Sequence, residues 1–135
     1  MSDDVLRYLN DLVSPFGGPE HQTRREQALA FLVAHADDAY PRLLAMIDAA
    51  AGTGPVAALR ALPLFGRPDA VPVLAAVLRN GNEAIAGVAA NALADHPDAR
   101  AEDALVDALN DRREAVVEAA TSALHTRRSA HRDQP

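Results

Sequence analysis

This sequence predicts an all-α fold, an α-solenoid of about four stacked antiparallel helix pairs. Three observations carry the prediction. An Ala-x-x-Ala-Leu signature recurs at Ala58/Ala61/Leu62, Ala89/Ala92/Leu93 and Ala120/Ala123/Leu124, a period of 31 residues. A second pattern, Leu43/Ile47, Leu74/Leu78 and Leu105/Leu109, interleaves with it on the same period. Alanine occurs 30 times, whereas Trp is absent and there are only three Phe and two Tyr. Small side chains let helices approach closely; strands favour β-branched and aromatic residues instead.

A chain of 135 residues suits one domain. Residues 1–126 are expected to form it, with 1–20 as a cap, 22–51 as a degenerate first repeat and 55–126 as regular repeats. Residues 127–135, RSAHRDQP preceded by Arg127, hold no apolar side chain larger than alanine and are expected to be a disordered basic tail.

In chain order, Ser2 is placed to cap a first helix, with Asp3 and Asp4 where the helix dipole favours acids. Val5, Leu6, Leu9, Leu12 and Val13 form its apolar stripe. Ser14 to Glu20 concentrates Pro and Gly, so a loop is expected, with Phe16 plugging the core edge. Gln22 to His35 reads as a helix turning Ala28, Leu29, Leu32 and Val33 inward. Ala30 and Phe31 stand one period before Ala61 and Leu62. Asp37-Asp38 is expected as a turn before a helix over 40–50 that buries Leu43, Leu44 and Ile47.

Gly52-Thr53-Gly54-Pro55 breaks the chain and starts the next helix. Pro63 cannot donate a backbone hydrogen bond, so this helix should kink or tighten in its last turn before Gly66. Asp69 is expected to cap a helix through Leu78, and Asn82 to cap one over 83–94. Gly87 lies inside the latter, where close helix contact is its expected compensation. His96-Pro97-Asp98 turns the chain into a helix over 100–109. Asp111 and Glu114 have capping-box spacing for a last helix over 112–126.

All 13 basic residues are arginine, a bias of the kind GC-rich bacterial codon usage produces. The net charge of −6 is concentrated in the body, which argues against non-specific nucleic-acid binding and favours a basic partner. With no cysteine there is no disulfide or thiolate metal site. No signal peptide or membrane span is recognisable, so a cytoplasmic protein is expected.

The units PVAALRALPLFGRPDAVPVLAAVLRNGN and GVAANALADHPDARAEDALVDALNDRRE resemble HEAT-like repeats of the short bacterial, phycobilin-lyase-like type. The resemblance covers roughly residues 22–126 and implies helix pairs whose second helices line a concave, binding surface. Function does not follow from such a fold alone. The Val-Arg pair frequent in these repeats is missing: Gly54-Pro55, Ile85-Ala86 and Val116-Val117 fill its slots. Packing between units is therefore expected to rest on Ala/Leu contacts alone.

Stepping by the period along the second helices gives exposed rows Pro41–Pro72–Asp103, Ala45–Ala76–Asp107 and Asp48–Arg79–Asn110. These nine are the candidate partner-binding residues. The face they make is small and apolar at one end and acidic at the other, suiting an apolar helix or a basic patch on another protein. His96, beside Asp95 and Asp98, is the best candidate for a metal or acid–base role, but no ligand spacing surrounds it. The acidic pairs Asp37-Asp38 and Glu102-Asp103 sit where helix starts prefer acids. No catalytic residue, metal site or cofactor is assigned. The expected function is a non-catalytic adaptor; a lyase-like, chromophore-handling accessory enzyme and an acidic inhibitor of a basic partner stay open. Homo-oligomerisation through exposed terminal faces is a further possibility.

Overall fold

Each helix of this chain carries an apolar stripe, and two layers of helices cover those stripes against one another. The structure is a computed structural model and describes residues 4–13 and 19–132. The expected cap Ser2 and the Pro/Gly segment 14–18, with Phe16, lie outside the described residues. The elements are α1 (Asp4–Val13), α2 (Pro19–Ala34), α3 (Ala36–Ala45), α4 (Val56–Ala61), a 3-10 turn (Leu62–Phe65), α5 (Ala70–Asn80), α6 (Glu83–Asp95), α7 (Arg100–Ala108) and α8 (Glu114–Arg132). The fold is an all-α solenoid. One layer runs α1, α4, α6, α8, and α3, α5 and α7 form the other.

The signature side chains meet between the layers. Ala58, Ala61, Leu62, Ala89, Ala92, Leu93, Ala120, Ala123 and Leu124 are buried, together with Leu43, Leu74 and Leu105. The second position of that signature varies: Leu78 is buried, Ile47 is half-buried and Leu109 is exposed, so only its first leucine is inward-facing in every unit.

The first unit departs from expectation. Ala28 and Leu32 are the fully buried residues of α2, while Ala30 and Val33 are exposed and Phe31 is half-buried. The reason is α1, which inserts Val5, Leu9 and Leu12 into the core and packs against α2, α3 and α4. The layer place expected for the helix over 22–35 is thus filled by α1, and α2 lies outside it. α3 begins at Ala36, taking Asp37 and Asp38 into its first turn, where the dipole favours them. It ends at Ala45 because Asp48 and Thr53 pair their backbones in both directions, at 2.9 and 3.0 Å, and the Asp48 carboxylate accepts from Ala51 N at 3.1 Å.

Pro63 tightens the chain after α4 into the 3-10 turn, which Gly66 ends at φ +66°. Asn82 caps α6, accepting from Ile85 N at 2.9 Å. Asp69 makes no cap; its carboxylate accepts instead from the Tyr40 hydroxyl at 2.8 Å. A Cβ added at Gly87 would find nothing within 4 Å, so no close contact compensates that glycine. The expected capping box is also replaced. Asp111 Oδ1 accepts from Arg113 N at 2.8 Å and α8 starts at Glu114.

Two expectations fail for one reason. α8 runs on to Arg132 where a disordered tail from 127 was expected, and packing between units does not rest on Ala/Leu contacts alone. Side chains reach back about one unit to the turns before them. The buried Arg127 guanidinium donates to the carbonyls of Leu93, His96 and Asp98. Arg113 donates to those of Leu78, Arg79 and Gly81. Asn80 Nδ2 donates to Ala49 O at 3.0 Å, and Arg67 Nη2 to Asp37 at 2.9 Å. The polar ladder expected to be lost is present, built from other positions.

Candidate functional site

The alternation of rows along α5 and α7 leaves a groove between them. Ala75 and Leu78 from α5 and Ala104 and Ala108 from α7 form its apolar floor, and its volume is about 430 Å³. Arg79, Asp103, Asp107 and Asn110 of the candidate set line it. Pro72 is exposed and Ala76 half-buried on α5, but neither lines the groove; Pro41, Ala45 and Asp48 are exposed on α3 and the turn after it. Asp48 is moreover engaged in holding that turn. The period therefore brings four of the nine residues together and leaves five apart.

The groove also contains Arg100 and Asp111, which stepping through the rows missed. For Arg100 the signal was present, since Arg100, Ala104 and Asp107 follow i, i+4, i+7 spacing on one flank of α7; Asp111 lies in the turn after that helix. Both charges are already engaged. Arg100 pairs with Asp98 at 3.1 Å and Arg113 with Asp111 at 3.1 Å. Hydrogen bonds from the Arg100 side chain, then its backbone N–H, hold the Asp98 carboxyl down at about 2. Arg113 lowers Asp111 in the same way. Among the described residues Arg79, Asp103 and Asp107 have no ion-pair partner, and Asp103 and Asp107 stand one helical turn apart on the same face. The rim is thus of mixed sign, with two uncommitted carboxylates facing one uncommitted guanidinium, rather than uniformly acidic.

His96 is held by backbone inside the stack. It is 1% exposed; its Nδ1 accepts from Asp98 N at 3.0 Å and its Nε2 lies 3.0 Å from Arg67 O. Donation from Asp98 requires the Nε2–H tautomer, which then donates to Arg67, so both ring nitrogens are engaged by backbone. Among the described residues no cluster of three His, Cys, Asp or Glu is placed to hold a metal ion. No helix is long and apolar enough to cross a membrane.

Stacked helix pairs with a groove between successive second helices define an α-helical repeat protein of the solenoid class. The sequence model of the HEAT repeats family matches residues 40–125, and the chain belongs to that family. No curated protein matches it, and no solved structure does. HEAT repeats commonly mediate protein–protein interaction.

Proposed function

We propose that this chain is a protein-binding adaptor whose partner docks a segment in the α5–α7 groove. The observation that supports this reading is the arrangement of unpaired charge. Asp103 and Asp107 are like charges one turn apart, a spacing that costs a few tenths of a kcal/mol in an isolated helix, and they border an apolar floor opposite Arg79. A partner segment with an apolar face and a Lys or Arg beside it would cover the floor and meet both carboxylates, while Arg79 takes an acid or a carbonyl. Opposite-charge steering would make association fall with salt.

The test is affinity capture from the native cell with wild-type protein and with a D103R/D107R variant. Circular dichroism confirms that the variant is folded. A captured protein lost from the variant, and lost from wild type at high salt, supports the reading. A full set of captured proteins retained by the variant removes the groove as the binding face.

A further inference from the structure

The floor of the α5–α7 groove is built of smaller side chains than the same positions one unit earlier. Ala75 and Leu78 stand one period after Leu44 and Ile47, and Ala104 and Ala108 one period after Val73 and Val77. In the earlier unit all four side chains are bulky, half-buried or buried, and packed onto the core. In the later one three of the four are alanine, and the groove of about 430 Å³ lies over them. One leucine and two valines are thus cut back to alanine. The aliphatic carbon missing from the floor matches that of a phenylalanine side chain. Protein interiors are close-packed, so apolar surface hollowed out in this way is the seat of a side chain from elsewhere.

We infer that the groove takes an amphipathic α-helix of another protein, which inserts one large apolar side chain, the size of phenylalanine, between α5 and α7. The inference rests on the adaptor reading above and specifies its partner. The floor selects a helix. Its four side chains offer neither donor nor acceptor, so an extended segment laid on them would bury backbone N–H and C=O groups unpaired, whereas a helix satisfies its own. The rim selects what flanks the anchor. Asp103 and Asp107, one turn apart on α7, match Arg or Lys placed one turn from the anchor on the same flank of the partner helix. Arg79, on the α5 side, matches an acid on its other flank. An apolar seat between borders of opposite charge is the arrangement by which a groove recognises one face of a helix.

The probe is an end-capped, Ala/Gln-based helical peptide with one central Phe, Arg on one flank and Glu on the other. It is titrated into the full chain, and the alanine methyl signals are followed by NMR. The methyls of Ala75, Ala104 and Ala108 should shift, and replacing the peptide's Phe with Ala should weaken binding at least ~tenfold. A75L/A104V restores the bulk of the earlier unit at two half-buried positions. It should keep its helix content and bind the Phe peptide at least ~tenfold more weakly. The proposal is overturned by absence of binding, by equal binding of the Phe and Ala peptides, or by equal binding of a proline-interrupted peptide of the same composition. A folded A75L/A104V that binds as wild type does would overturn it as well. The comparison of peptides needs no change in the chain, so it decides the matter even where that variant fails to fold. Failure here is separable from failure of the adaptor reading. A captured partner lost from D103R/D107R while the two peptides bind alike leaves the groove as the binding face and removes only the anchor.

Discussion

Arg127 and His96 stand 31 residues apart, one full period, and the guanidinium of the first is bonded to the backbone carbonyl of the second. Both side chains are buried, at 4% and 1% exposure. The same guanidinium reaches Asp98 O at 2.7 Å and Leu93 O at 3.3 Å, so one cation satisfies the carbonyl end of α6 and ties α8 to it.

Removing that cation takes a donor from all three carbonyls; Leu93 O keeps His96 N and Asp98 O keeps Ala101 N, but His96 O has no other bond among the described residues. R127A should therefore destabilise the fold by about 2–3 kcal/mol. R127K keeps the charge but not the planar fork and should recover only part of the loss. Urea unfolding followed by circular dichroism measures both. A loss under roughly 0.5 kcal/mol for R127A would mean that the last turns of α8 do not hold α6.

Gly87 should respond in the opposite sense. A methyl group there meets nothing within 4 Å. G87A is expected to stabilise the protein by about 0.5–1 kcal/mol, through helix propensity and a less flexible unfolded chain. Thermal melting of the variant beside wild type provides the check.

Gly52 is the contrasting case. Its φ is +69°, and an added Cβ would lie 2.2 Å from Gly81 N, in the next turn along the stack. G52A must either move one turn off the other or distort both. A destabilisation of about 2 kcal/mol or more is expected, from clash and left-handed strain together. Denaturant titration will show it as a lower midpoint with an unchanged slope.

Acid should loosen the turns at 98 and 111. Asp98 is held near 2 against an ordinary 3.8, and Asp111 is lowered as well, each by the arginine two residues on. A depressed carboxyl contributes stability above its unfolded value and loses it as pH falls through the folded one. The contribution should therefore be complete above about pH 5 and disappear between about pH 4 and pH 2. D98N should show a shallower decline across that window than wild type.

The core leucines set the largest effects. Leu74 and Leu105 are both fully buried at equivalent places in α5 and α7. L74A and L105A should each cost about 2–5 kcal/mol, measured by urea unfolding. A change below roughly 0.5 kcal/mol at both would contradict the inward face.

The layers of this protein were legible because hydrophobic spacing encodes them directly. Leu62, Leu93 and Leu124 could be assigned to the core by period alone, and Pro63 announced the 3-10 turn through its missing N–H. What escaped was chemistry that depends on a partner distant in sequence. Asp69 has the form of a cap, but Tyr40, 29 residues earlier, uses its carboxylate. Arg127 looks like a charged tail residue until the carbonyls of α6 are in place around it. α1 displaced α2 because two amphipathic helices compete for one place, and neither stripe alone says which prevails. In the groove, period stepping found Arg79, Asp103, Asp107 and Asn110 but not Ala75 or Leu78, whose burial depends on the spacing between neighbouring helices.

Phe65, His96 and Arg127 occupy one recurring position, at intervals of 31 residues. Each extends into the unit before it: Phe65 lies tilted on Tyr40 of α3 with ring centres 5.5 Å apart, the imidazole meets Arg67 O, and the guanidinium meets His96 O. Benzene ring, imidazole and guanidinium share little chemistry, so this joint is specified by reach and flatness more than by a particular functional group. A gene encoding such a chain can lengthen by tandem duplication of residues 83–113, because the copied His96 would arrive beside a carbonyl placed like that of Arg67. Growth and shrinkage by whole modules is thereby built into how neighbouring bends fasten to one another.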